Sequence, residues 1–158
     1  MTNNDILRSL RYALNTDNTT MKAIFKAADY DIEEPTLLAY MHREDEPGSM
    51  ACSARVLGLF LDGLIIFKRG KREVVAAADA PAPSTGLSNN DVLKKVRIAF
   101  DLKGEDILQM LSSVGFSVTM SQINALFRKK GHKNYMECQD QLLRNFLKAL
   151  SGPTTDFR

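Results

Sequence analysis

The sequence predicts an all-α fold, a tandem duplication of a four- to five-helix unit packed as a pair of helical bundles. Three observations predict it. Sliding the chain on itself by 86 positions lays Asn3-Asn4-Asp5-Ile6-Leu7-Arg8 on Asn89-Asn90-Asp91-Val92-Leu93-Lys94, and the match runs on without a gap. Apolar residues recur at intervals of three and four, with little of the strict alternation that marks strands. The two matching stretches are separated by a segment rich in alanine, with Pro81, Pro83 and Gly86, which has almost nothing to bury.

These features divide the chain into a helical repeat over 1–70, a flexible linker over 71–88, a second repeat over 89–152 and a frayed tail over 153–158. Along the register Arg11 meets Arg97, Ala39 meets Ala125, Met50 meets Met136, Cys52 meets Cys138 and Phe60-Leu61 meets Phe146-Leu147. Between the identities, apolar replaces apolar: Ile6/Val92, Ile24/Met110, Phe25/Leu111, Leu37/Ile123 and Met41/Phe127. A shared core explains that pattern.

Each copy opens with a hydroxyl three positions before an acid, Thr2 before Asp5 and Ser88 before Asp91, which is the spacing of a reciprocal capping box. The acid also suits the positive end of a helix. Behind it, Ile6, Leu7, Leu10, Ala13 and Leu14 place one apolar stripe on a first helix, as do Val92, Leu93, Val96, Ala99 and Phe100. A second helix is expected over about 19–28 and 104–114, and a third over about 35–43 and 121–129. Pro35 suits a first turn, and Thr119 with Gln122 offers another capping box. The last helix, over about 53–67 and 135–150, is the longest. In the first copy it is apolar around most of its circumference, which demands cover on more than one side. The other repeat, a second chain, or a central place in its own unit would each supply it.

Composition sets the class. The chain of 158 residues is 44% hydrophobic and 25% charged, close to the average of globular proteins. No apolar run is long enough to span a bilayer, and the start lacks the layout of a secretory signal, so a cytoplasmic protein without membrane contact is expected. Cys52 and Cys138 have no CxxC or CxxH spacing and read as reduced, buried thiols.

Chemistry-bearing residues are sparse. His42 and His132 are the only histidines, and they do not align in the repeat register. The run His42-Arg43-Glu44-Asp45-Glu46 lacks the spaced oxygen ligands and turn glycine of an EF-hand loop. Neither a GxGxxG nor a GxxxxGK[ST] loop is present. No catalytic residue, metal ligand or cofactor is therefore assigned. Asn3-Asn4-Asp5 and Asn89-Asn90-Asp91 read as helix caps rather than as a binding motif.

Charge is the sharper signal. Residues 1–70 hold eight basic and ten acidic residues, whereas 89–158 hold eleven basic and seven acidic. The difference gathers after the third helix, where Arg43-Glu44-Asp45-Glu46 becomes Lys129-Lys130-Gly131-His132, preceded by Arg128 and followed by Lys133. Three readings fit: a phosphate-binding segment, complementary acidic and basic segments that meet within or between chains, or two unrelated exposed loops.

The order of elements in the second copy resembles the lambda-repressor-like helix-turn-helix domain, with 106–111 and 121–128 as its two central helices. That resemblance implies Gln122, Asn124 and Arg128 near a DNA groove and Lys129, Lys130 and Lys133 on phosphates. The turn over 112–120 is several residues longer than that family's, and the first copy is acidic where phosphate contacts would fall. A closer match, over nearly the whole chain, is to the YehS-like family of bacterial proteins. It is carried by Asn3-Asn4-Asp5-Ile6-Leu7-Arg8, Arg43-Glu44-Asp45-Glu46, Phe60-Leu61-Asp62-Gly63-Leu64-Ile65, Lys68-Arg69-Gly70-Lys71, Val92-Leu93-Lys94-Lys95, Arg97-Ile98-Ala99-Phe100, His132-Lys133-Asn134 and Glu137-Cys138. It implies a duplicated helical domain in a bacterial cytoplasm and transfers no catalytic residue.

The expectation is a non-enzymatic binding or interaction protein made of two helical repeats, docked on each other or paired in a homo-oligomer. Its candidate contacts are Gln122, Asn124, Arg128, Lys129, Lys130, His132 and Lys133, with Glu44, Asp45 and Glu46 as the complementary acidic segment. Nucleic-acid binding through the second repeat is the alternative. A metal-dependent enzyme using His42, Glu44 and Asp45 ranks third.

Overall fold

A computed structural model describes residues 1–70 and 87–151. The expected linker, apart from Leu87 and Ser88, and the expected tail lie outside the described residues. The chain divides into two compact units between Leu87 and Ser88. Among the described residues all regular structure is helical: α1 (Asn3–Leu14), α2 (Asn18–Ala27), α3 (Glu34–Met41) and α4 (Ala54–Arg69) in the first unit, then α5 (Asn89–Phe100), α6 (Gly104–Ser113), α7 (Met120–Leu126) and α8 (Asp140–Leu150) in the second. No described helix is long and apolar enough to cross a membrane.

The capping boxes form as the spacing predicts. The Thr2 hydroxyl accepts from the Asp5 amide at 3.0 Å while the Asp5 carboxylate accepts from the Thr2 amide at 2.9 Å. Ser88 and Asp91 repeat this at 3.1 and 3.0 Å, and Thr119 and Gln122 at 3.1 and 2.9 Å. Each box satisfies two amides that the first helical turn would otherwise leave without partners. α1 and α5 both end on a left-handed residue, Asn15 and Asp101, types that tolerate positive φ best after glycine.

The cores superpose in sequence register. Ile6, Leu7, Leu10, Met21, Ile24, Phe25, Leu37, Leu57, Phe60, Leu61 and Leu64 are buried in the first unit, and so are their partners Val92, Leu93, Val96, Ile107, Met110, Leu111, Ile123, Leu143, Phe146, Leu147 and Leu150 in the second. Phe25 packs its ring at a 59° tilt against Phe60 and Tyr30, with ring centroids 5.1 and 5.5 Å apart.

The nearly all-round apolar α4 packs against α1 and most closely against α2, both of its own unit. Of its apolar side chains only Phe67 is exposed. Gly63 makes the closeness of α2 achievable: a Cβ there would lie 2.0 Å from the Ile24 carbonyl oxygen, so only hydrogen fits.

Three boundaries differ from the sequence expectation. α7 ends at Leu126, short of the expected 129, and α3 ends at Met41. α8 starts at Asp140 rather than near Tyr135, because 135–139 is not helical and its Met136 and Cys138 amides donate to Ala125 and Asn90 instead.

Candidate interaction surface

The third and fourth helices of each unit are joined by an excursion closed at its base. The Met50 amide donates to the Ala39 carbonyl at 3.1 Å, and the Met136 amide to the Ala125 carbonyl at 3.0 Å. Between these paired ends, past the buried Tyr40 and Leu126, residues 43–48 and 128–134 are exposed, and the chain returns past the start of the first helix.

What holds that return in place is the second asparagine of each Asn-Asn-Asp motif. Asn4 and Asn90 are 4% and 8% exposed. The Asn4 amide nitrogen donates to the carbonyls of Tyr40 at 3.1 Å and Met50 at 2.8 Å, and its oxygen accepts from the Cys52 amide at 2.8 Å. Asn90 makes the same three bonds, to Leu126 at 2.9 Å, Met136 at 3.0 Å and Cys138 at 2.8 Å. Asn3 and Asn89 add a bond each to the carbonyls of Cys52 and Cys138, both at 3.0 Å. Capping therefore accounts for the aspartates alone, and the expectation that it explains the asparagines is corrected. A side chain carrying both donor and acceptor is the natural partner for a buried backbone segment that no helix satisfies.

Cys52 and Cys138 are both buried on this return. Burial pushes the Cys52 thiol up to about 11 and the Cys138 thiol, with Asp140 beside it, up to about 12. Both stay protonated and poor nucleophiles at neutral pH.

The loops held by this clamp differ in charge and in how that charge is used. In the first unit Glu44 and Glu46 are bonded within the unit, and Asp45 has no bonding partner among the described residues. Glu44 accepts from the Thr2 hydroxyl at 3.0 Å and lies 3.8 Å from the Arg8 guanidinium, which also pairs with Asp5 and donates to the His42 carbonyl at 2.9 Å. Glu46 accepts from the Arg43 amide at 2.9 Å and lies 3.4 Å from His42 Nδ1. Those two bonds, the Arg43 amide first, hold the Glu46 carboxyl below the ordinary range. Even so, Glu44 and Glu46 remain about half exposed. Among the described residues no three of His, Cys, Asp and Glu gather as a metal site would require.

In the second unit Arg128, Lys129, Lys130, His132 and Lys133 are all exposed, and among the described residues no carboxylate pairs with them. His132 is spent on the turn, its Nδ1 accepting from the Asn134 amide at 3.1 Å. The remaining candidates separate. Gln122 has its side-chain oxygen in the Thr119 capping box, and Asn124 is exposed on α7. Arg128, Lys129, Lys130 and Lys133 lie beyond the end of α7, on the loop, so the expectation that Arg128 and Lys129 extend a recognition helix is corrected. Under the loop, the Arg97 guanidinium sits 4.4 Å over the Phe127 ring and donates to the Leu102 carbonyl at 2.9 Å, holding the loop's first residue.

The family described as "Protein of unknown function (DUF1456)" matches residues 3–70 and again 89–152, the two units described above. The chain is 44% identical over 152 residues to the uncharacterized protein YehS of Escherichia coli strain K12, covering 96% of each chain. No solved structure matches it. With both repeats matched and a relative of that identity along almost its whole length, the chain belongs to the DUF1456 family and is similar to YehS.

Proposed function

We propose that this chain is a non-enzymatic interaction protein whose contact surface is the charged excursion between the third and fourth helices, the basic loop of the second unit receiving an acidic partner. The observation that carries the reading is the state of Arg128, Lys129, Lys130 and Lys133: four exposed cations without a carboxylate partner among the described residues, on a loop whose base is hydrogen-bonded shut. Clustered like charge is unfavourable unless something of opposite sign meets it. The clamp at Asn90 fixes the two ends of the loop, which lowers the entropy lost on binding. Nucleic acid is the second reading, because phosphates are the commonest dense anion and lysine-arginine clusters bind them by releasing counterions.

Fluorescence anisotropy with three labelled probes tests both: a polyglutamate peptide, a DNA duplex and a single-stranded RNA, each at low salt. Wild-type protein is expected to bind an acidic probe, and R128E/K129E/K130E/K133E to lose that binding. A DNA or RNA affinity far above that for polyglutamate, falling with the logarithm of salt at a slope of about −3 to −4 for three or four phosphate contacts, selects the second reading. Absence of binding to all three, or binding undiminished in the quadruple variant, overturns the proposal.

A further inference from the structure

The acidic partner of the basic loop has a counterpart in the chain itself. We propose that the loop carrying Arg128, Lys129, Lys130 and Lys133 docks on the loop carrying Glu44, Asp45 and Glu46 of a second copy, so that two copies form a closed pair. This rests on the reading of the basic loop as a contact surface and names its partner.

The two loops occupy the same place in their units, each closed by the same backbone bond and held by the same asparagine. Their charges are opposite. A nucleic-acid partner would account for the basic loop only, and the acidic one would be repelled by it. A loop-to-loop contact accounts for both with a single divergence, because each loop is the other's complement.

The acidic side also carries an apolar rim. Leu38 and Met50 are 41% and 46% exposed, and the Met50 amide bonds to the carbonyl of Ala39, next to Leu38. The equivalent positions in the second unit hold Asn124 and the less exposed Met136. Opposite charge steers an encounter, and apolar contact with the lysine stems gives it affinity. Each copy carries one loop of each sign, so a two-fold pair makes the contact twice, the acidic loop of each copy facing the basic loop of the other. A head-to-tail contact used once per copy would leave one loop open at each end and grow into chains.

Charge exchange on the full chain tests this. Variant one is R128E/K129E/K130E/K133E, with two acidic loops, and variant two is E44K/D45K/E46K, with two basic loops. Sedimentation velocity at low salt is expected to show wild type moving from monomer to twice the monomer mass with rising concentration. Each variant alone should dissociate at least about tenfold more readily. An equimolar mixture should recover the dimer, since both contacts are restored between unlike copies.

Circular dichroism and thermal melting check that both variants keep the wild-type helix content; D45K alone, on a side chain without a bonding partner among the described residues, serves if E44K disturbs the Thr2 contact. Wild type that stays monomeric, or a mixture that does not recover the dimer, overturns the proposal, as do assemblies larger than dimers. Wild type that stays monomeric yet binds polyglutamate or nucleic acid removes this inference and leaves the broader function standing.

Discussion

The two units keep the same scaffold under loops that have gone separate ways. Asn4 and Asn90 make three bonds each to matching backbone groups, within 0.2 Å of one another in every case. Seven residues before Cys52 the chain reads Asp45, and seven before Cys138 it reads Gly131. Buried hydrogen bonds resist change because losing one partner leaves the other without water or protein to replace it. Exposed charge can drift at small cost to stability, since surface pairs contribute little. Divergence on a fixed base is therefore the expected history of a duplicated exposed loop, and the comparison between units can be broken at the base or at the crossing of helices.

The largest effect is expected at the base. Removing the Asn4 side chain with N4A leaves the Tyr40 and Met50 carbonyls and the Cys52 amide without their partner, and about 3 kcal/mol or more is the expected loss at about 1–3 kcal/mol per buried group. N90A should cost its own unit a similar amount. Hydrogen exchange resolves the two: protection should fall at Cys52 in one variant and at Cys138 in the other. Equal loss in both units from either variant would show that the units are not independent in stability.

Next in size is the place where the scaffolds differ. Gly63 in α4 corresponds to Ala149 in α8. Because an added Cβ would meet the Ile24 carbonyl at 2.0 Å, G63A must push α2 and α4 apart, at about 1–3 kcal/mol. A149G removes a methyl from a buried helical position and should cost about 1 kcal/mol. Chemical denaturation followed by hydrogen exchange checks the contrast. A G63A variant as stable as wild type would show that α2 and α4 adjust freely and would remove the close crossing as a distinction.

Much of this was legible in the sequence, and the part that was not has a physical reason. Caps are local, so Thr2 with Asp5 and Thr119 with Gln122 announce themselves by spacing alone. The asparagine clamp is non-local: Asn4 and Cys52 are 48 residues apart, and beside Asp5 an asparagine looks like one more polar residue of a first turn. A usable signal was present, since Asn is a poor helix former that neither cap needs, yet it stands at this position in both copies. Gly63 interrupts an apolar run in the sequence, and in the fold it is a close approach of α4 to α2. The sequence reads Tyr135, Met136 and Cys138 as the start of the last helix, and instead their segment is bonded to Asn90 ahead of it. The charged loops were visible as composition, but which of their charges were already paired was not.

Alkaline titration should weaken both units in the same direction. Cys52 and Cys138 have folded values raised from 9.0 to about 11 and about 12 by burial, so between pH 9 and these values the unfolded chain has released protons that the folded chain still holds. Stability is then full below about pH 9 and falls as pH rises toward 11 and 12. Tyr40 and Tyr135, also raised by burial, add to the fall with the same sign. The slope of unfolding free energy against pH should flatten in C52A/C138A, and a double variant with the wild-type slope would assign the alkaline loss to other groups.

The smallest effect separates the two caps. T2A and S88A each remove a hydroxyl that accepts from the amide three residues on, and about 1 kcal/mol is expected for either. The caps are not equivalent, however, because the Thr2 hydroxyl also donates to Glu44 at 3.0 Å whereas Ser88 has no such bond to the basic loop in the described residues. T2A should therefore free the acidic loop as well as weaken α1, adding a few tenths of a kcal/mol, in the range of exposed charged contacts. A double cycle of T2A with E44Q isolates that share, and S88A with K130Q, at the position equivalent to Glu44, supplies the control in which no coupling is expected. Coupling of equal size in both cycles would mean that the cap does not steady the acidic loop through Thr2, and that the inward turn of Glu44 is set by Arg8 alone.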